Sequence, residues 1–273
     1  MDWSKAKNVL IVIFLALNVF LLFTNYDTLS SGRTVSKEIV SNTESVLNSR
    51  GVKLKCKIPT NVQSTMLTFE NTKLDKAKIA EKLLGLDSKS IAEGMEVFNN
   101  NKSLVFNEGR FTYINKDTAS VVEISGVSDA QKLVAKLLKK LSLNFSEYIL
   151  DKSIKNKDNS YELKYIHKYQ DYLIYDDYIS AVVGNSGIKR LEYKYREAKI
   201  LEQNNGQDLL EAYQILIGAS DIKDTEIEGI DMGFKKGKTD EETRNSFEVP
   251  VWRIKLGNSE IFYEASKGTK LDF

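Results

Sequence analysis

Apolar positions fall into three patterns along the chain, and each predicts a different element. The first is an unbroken run. Val9 to Phe23 carries no charge and one polar residue, Asn18. By itself it is shorter than the roughly 20 residues that cross a bilayer core of about 30 Å. Trp3 and Tyr26 bracket it, and on a helix they stand roughly 34 Å apart, at the depth where amphipathic aromatic rings settle. Lys5 and Lys7 flank its start, and positive flanks stay on the cytoplasmic side. The pattern predicts a cytoplasmic stretch 1–8, a single transmembrane anchor 9–26, a linker 27–34 and an extracytoplasmic remainder at the cell membrane. A cleaved secretory signal is the competing reading, but Thr24-Asn25-Tyr26-Asp27 lacks the small-x-small cleavage pattern. A buried core helix at this terminus has no sequence neighbour to pack on. Inside lipid, the Asn18 amide favours a hydrogen bond from another helix, typically about 1 kcal/mol. Its face includes Ile11, Phe14, Leu15, Leu21 and Leu22, which makes these six residues the candidate transmembrane partner contacts.

The second pattern is helical. Val35, Ile39, Val46 and Leu47 share a face up to Gly51. Asp75 caps a segment with Ile79, Leu83 and Leu84 inside, closed by Gly85. Ser128 or Asp129 opens a third with Leu133, Val134, Leu137, Leu138 and Leu141 inside, and a fourth runs from Leu209 to Leu216. The third pattern is alternation. Val52, Leu54, Cys56 and Ile58 alternate with lysines, which predicts a half-buried strand ending at Pro59 with Cys56 pointing inward. Further β-prone runs are Thr65–Phe69, 95–98, 104–106, 111–114, 120–124, 148–154, 161–168, 175–183, 188–195, 225–234, 247–256 and 260–265. Asn- and Gly-rich turns separate them, with Gly184-Asn185-Ser186-Gly187 as a hairpin signal. A helix followed by several strands, repeated, predicts an α+β fold of antiparallel sheets, each covered by one or two helices. The sequence divides most simply into an α+β subdomain, 35–126, and a β-rich subdomain, 127–273.

Composition narrows the partners. Net charge is +1 and the isoelectric point near 7.6, so no basic field for nucleic acid exists. The single cysteine excludes an internal disulfide, and an external domain without one must stand on its core. That suits a bacterium with a single membrane, as does the richness in Lys, Asn and Ile.

Candidate chemistry is sparse. His167 is the single histidine, so any Ser-His-Asp or Cys-His site depends on it. Its alternating context, Lys164 to Lys168, predicts a surface or half-buried strand position. One His and one Cys do not make a zinc site. Gly237-Lys238-Thr239 imitates the end of a phosphate-binding loop, but the first glycine would fall at Met232, and Asp240-Glu241-Glu242 repels phosphate. Asp176 and Asp177 lie among Tyr161, Tyr165, Tyr169, Tyr172, Tyr175 and Tyr178. Neighbours on a strand face opposite ways, so the two carboxylates are no facing acid–base pair. Cross-strand aromatic packing explains the tyrosines most simply. The alternative is an extracytoplasmic interaction surface on Tyr172, Tyr175 and Tyr178. No cofactor is implied.

Met1-Asp2-Trp3-Ser4-Lys5-x-Lys7, running directly into an apolar helix that holds Asn18, resembles the start of the YycI (WalI) family of low-GC Gram-positive bacteria. The segment from Tyr172 through Asp176-Asp177-Tyr178 and Gly187-Ile188 to Tyr195 is similar to that family's central hairpin. The end, Pro250-Val251-Trp252 through Tyr263 to Gly268, faintly resembles PepSY-type strand pairs. The resemblance implies a single-pass regulator with an external α+β module. It implies a YycH-like partner and a WalK (YycG)-type sensor histidine kinase whose autophosphorylation, and through it cell-wall metabolism, is tuned by transmembrane contacts. It brings no catalytic residues. The alternatives are an anchored cell-wall or peptide-binding module on the tyrosine-rich hairpin, and an external hydrolase using Asp176 or Asp177.

Overall fold

The structure is a computed structural model that describes residues 7, 11, 13–19, 35–60, 65–86, 91, 94–107, 109–118, 122–201, 209–236, 248–257 and 259–271. The chain is mixed α+β and dominated by strands. It divides into two compact units, neither contiguous in sequence. One gathers Met1–Ser64, Asn205–Asp231 and Trp252–Phe273. The other gathers Thr65–Asn204 and Met232–Val251. The boundary 126/127 expected from the sequence falls inside the second.

In the first unit, helix α1 (Lys37–Ser49) begins where the Ser36 hydroxyl accepts the Ile39 amide, and it ends at Arg50 with Gly51 left-handed at φ 74°. The left-handed conformation favours glycine here, and a Cβ at Gly51 would also displace the Asp224 carboxylate, 2.4 Å away. The expected strand from Val52 shrinks to β1 (Lys53–Leu54), because its partner β11 (Glu226–Ile227) offers only a two-residue parallel ladder. The alternation of inward apolar and outward lysine positions persists from Val52 to Ile58. Cys56 is half-buried rather than a core residue. Burial, then the charge of Asp231, pushes its thiol above the usual range, which disfavours the reactive thiolate.

Helix α4 (Ala212–Gly218) starts later than the sequence suggests. A reciprocal capping box between Glu211 and Gln214 fixes its first turn there. Leu210, left outside, donates its amide to Ala265 O at 2.8 Å and accepts the Trp252 indole N–H at 2.8 Å. The Arg50 guanidinium satisfies carbonyls at the end of α4, reaching Ile217 O at 2.8 Å.

In the second unit, helix α2 (Lys76–Leu84) matches its expectation residue by residue. Asp75 accepts the Lys78 amide at 3.0 Å, Ile79, Leu83 and Leu84 are buried, and Gly85 closes the helix in the left-handed region. Helix α3 (Val127–Lys140) buries Ala130, Val134 and Leu138.

The sheet beneath is built from β3 (Glu96–Asn99), β4 (Lys102–Asn107), β5 (Arg110–Asn115), β6 (Tyr148–Lys155), β7 (Tyr161–Tyr169), β8 (Tyr172–Gly184) and β9 (Gly187–Lys194). Strands β3 to β5 form the expected meander, β5 pairs β9, and β8–β9 is the expected hairpin about Asn185-Ser186. Residues 122–124 are not a strand; Val122 instead donates to Asn185 O at the hairpin tip, and 119–121 lie outside the described residues. β10 (Arg196–Leu201), which no alternation announced, pairs antiparallel with β2 (Met66–Asn71).

The sheets are not purely antiparallel. β12 (Gly229–Lys236) joins β8 in parallel through Gly233↔Leu173 and Phe234↔Ile174. A Cβ at Gly233 would stand 2.2 Å from Leu173 O and 2.7 Å from the Tyr175 ring, so this close pairing needs glycine. β13 (Glu248–Leu256), β14 (Ser259–Glu264) and β15 (Lys270–Leu271) complete the strands.

Candidate functional site

β8 exchanges neighbours part-way along its length, and this organises the second unit's polar site. Its C-terminal half pairs β9, whereas Leu173 and Ile174 pair β12 on that edge. On its other edge β7 runs throughout, but the register shifts between Ile166↔Tyr178 and His167↔Ile174, so Tyr175, Asp176 and Asp177 bulge out of the ladder. Bulges re-aim side chains. Here the bulge turns Asp177 inward and Asp176 toward β12, where it accepts the Lys236 amide at 2.6 Å and pairs with Lys235 Nζ at 3.3 Å. The two carboxylates serve different partners, as their adjacency requires.

His167 sits opposite the bulge. It is fully buried, not at the surface or half-buried as its alternating context suggested, because the register shift draws consecutive residues of β7 into the interior. Its Nε2 lies 3.1 Å from Glu147 Oε2 and its Nδ1 3.5 Å from Asp177 Oδ2. The rings of Tyr195 and Tyr148 flank it, with centroids at 5.0 and 5.5 Å. The Tyr195 hydroxyl also donates to Glu147, at 3.0 Å. Partial burial raises the Glu147 carboxyl, but hydrogen bonds from Asn144, Tyr195 and His167 outweigh it and hold the group below its usual range.

Asp177 continues the chain of contacts. It accepts Arg196 Nε at 2.7 Å and the Arg196 amide at 3.2 Å. Arg196 Nη1 bonds Glu248, and the guanidinium lies 4.7 Å over the Phe69 ring. Burial disfavours the cation, yet Asp177 and Glu248 more than compensate and hold Arg196 above its usual range. Burial pushes the Glu248 carboxyl up in spite of Arg196. Glu147, His167, Asp177, Arg196 and Glu248 thus form one polar line through an apolar interior.

This line lacks the geometry of acid–base catalysis. Carboxylates stand at both imidazole nitrogens, and the ring is closed to solvent. No Ser, Thr or Cys among the described residues bonds it. Among the described residues no group of three or more His, Cys, Asp or Glu side chains is placed to hold a metal ion. What the line does reach is a cleft of about 650 Å³, bounded by Phe69 on β2, Arg110 on β5, Lys194 at the end of β9, Arg196, Lys236 and Glu248.

The tyrosines offered as an alternative interaction surface are packed wholly or partly inside. Tyr172 and Tyr175 are buried, and Tyr178 is half-buried with its hydroxyl donating to Glu192 at 2.6 Å. Tyr172 packs edge-on against Phe234, 5.5 Å between centroids. The parallel pairing of β12 covers this end of β8, which no local pattern announces, so these residues make no exposed aromatic surface.

Ile11, Phe14 and Leu15 are exposed, at the helical residues 11 and 13–19, and Asn18 Nδ2 donates to Phe14 O at 2.8 Å. Leu21 and Leu22 lie outside the described residues. Most of the expected anchor does too: 9, 10, 12 and 20–26. Among the described residues no helix is long and apolar enough to cross a membrane. The phosphate-loop look-alike at Gly237 is also outside.

Arg196, Glu147 and Glu248 were not visible as site residues from sequence. One signal was available. The cations of this chain are mostly lysine, and the two that are buried among the described residues, Arg196 and Arg253, are arginine, the side chain suited to buried carboxylate pairing. Arg253 makes the same kind of contact in the first unit, with Asp231 at 2.8 and 3.0 Å.

Compared with known families, residues 30–266 match the family described as YycI protein. The chain belongs to the YycI family. That family is regulatory, associated with the YycG/WalK two-component system, and not known as enzymatic. No curated protein matches the chain.

Proposed function

We propose that this YycI-family chain is a non-enzymatic, membrane-anchored regulator that modulates an essential sensor histidine kinase controlling cell-wall metabolism. It acts through transmembrane and extracytoplasmic contacts with the kinase and a YycH-like partner. The family match over residues 30–266 carries the reading. The anchor rests on a separate feature, the charge-free run Val9–Phe23 with its basic and aromatic flanks, which lies outside the matched range. Ile11, Phe14, Leu15 and Asn18, with Leu21 and Leu22, form the face offered to a partner helix. Exposed apolar side chains on residues 13–19 support that role, since a helix in lipid keeps such a face for lipid or another helix. The buried Tyr172 and Tyr175 remove the support for a peptide- or wall-binding hairpin.

Co-purification from native membranes in mild detergent tests the proposal. A tagged full chain recovers a WalK-type kinase together with a YycH-like protein. Recovery of neither, from membranes shown to contain both, rejects it.

A further inference from the structure

We propose that the cleft lined by Phe69, Arg110, Lys194, Arg196 and Lys236 is a binding site for a small amphipathic anion, a carboxylate or phosphate carried on an apolar body. The proposal stands apart from the kinase reading, because binding is read on this chain alone. Three observations carry it.

The first is an imbalance of partners. Arg110 is paired loosely with Glu192, at 3.9 Å, and with the Tyr178 side chain, whereas neither the Lys194 nor the Lys236 ammonium has an ion pair among the described residues. One acid, Glu248, lines the cleft beside the cations, and the other nearby acids are held by cationic partners or a backbone amide. Asp177 and Glu248 bind Arg196, and Asp176 is held by Lys235 and the Lys236 amide. A ligand in the cleft therefore meets mostly positive charge.

The second is a buried donor left over. The Arg196 side chain is 7% exposed, and its Nη2 has no hydrogen-bond partner among the described residues. Nη1 and Nε are used on carboxylates, so Nη2 is the guanidinium nitrogen left without an acceptor at the cleft wall, and Glu248 Oε2 is the neighbouring oxygen left without a donor among the described residues. Burial, and then the neighbouring Arg196, holds the Lys194 ammonium below its usual range. An anion between them would relieve that repulsion.

The third is shape. About 650 Å³ lies within the range of small-molecule sites. β2 contributes Leu67 and Phe69 from its half-buried face, an apolar patch beside the cations, with the Phe69 ring under the Arg196 guanidinium. Bare inorganic anions use only the charge, whereas an amphipathic one uses both the charge and the patch.

Calorimetry on the full chain in a neutral detergent at low salt tests this, with phenyl phosphate, benzoate and inorganic phosphate as probes. Phenyl phosphate or benzoate binds saturably, and whichever binds more tightly identifies the phosphate or carboxylate preference. Inorganic phosphate binds more weakly than phenyl phosphate. Lys194→Gln with Lys236→Gln lowers the affinity at least about tenfold, while Lys136→Gln with Lys140→Gln on α3 leaves it unchanged. In the unsubstituted chain the ligand also increases hydrogen-exchange protection in β2 and β10, a readout that needs no variant to fold. Non-saturating binding, equal affinity for inorganic and phenyl phosphate, equal loss in both lysine pairs, or unaltered exchange in β2 and β10 overturns the assignment.

Discussion

Arg196 shows how much one side chain can hold together. Two carboxylates that would be costly to bury alone, Asp177 and Glu248, are both paired to it. Removing one member of a buried pair leaves a bare charge and typically costs about 3–5 kcal/mol. Arg196→Met is therefore expected to lower the stability of the second unit by about that amount in urea unfolding followed by near-ultraviolet tyrosine dichroism. Arg196→Lys, which keeps the charge but loses the fork, falls between.

The buried tyrosines make a second prediction at this scale. Burial, reinforced at Tyr178 by its bond to Glu192, pushes the phenols of Tyr165 and Tyr178 up to about 12. Both are raised above the unfolded value of 10. Their contribution to stability is complete below pH 10 and is lost as pH rises toward about 12. Tyrosinate absorbance against pH is expected to show a late component that merges with the early one once the chain is denatured.

Local residue chemistry was readable where it acts locally. Asp75 and Gly85 bound α2 as their types require. The partners of His167 were not readable, because Asp177 meets it through a register shift that alternation alone cannot contain, and Glu147 reaches it from the turn before β6.

At the scale of elements, helices with a cap and a face, and strands joined by tight turns, followed from the sequence. Those that depend on a distant partner did not. β10 has no turn of its own to announce it and exists as the mate of β2. Residues 55–58 keep a strand's alternation but find no ladder, since β11 is too short. The parallel contact of β12 with β8 was hidden for the same reason, and it buries Tyr172 and Tyr175, against the alternative of an exposed aromatic surface.

Gly233 makes that contact testable. Gly233→Ala forces a methyl against Leu173 O and the Tyr175 ring. Overpacking of this kind costs about 1–3 kcal/mol. The expected result is a lower unfolding midpoint with faster amide exchange at Leu173 and Ile174. As a calibration, Asp75→Ala at the α2 cap is expected to cost about 1 kcal/mol.

For the whole molecule, the two units offer stable cores and a charged cleft but no reactive constellation among the described residues, and the family is a regulatory one. The proposed function centres on the apolar run at the start of the chain and on the partner contacts proposed for its Asn18 face. The most direct test exchanges residues 9–26 for an unrelated single-span helix, keeping the rest of the chain and its orientation, and measures autophosphorylation of the co-reconstituted WalK-type kinase in vesicles. The native chain changes the rate and the exchanged chain does not, while both reach the membrane in equal amount. An equal change with either anchor, or no change with the native one, contradicts the account.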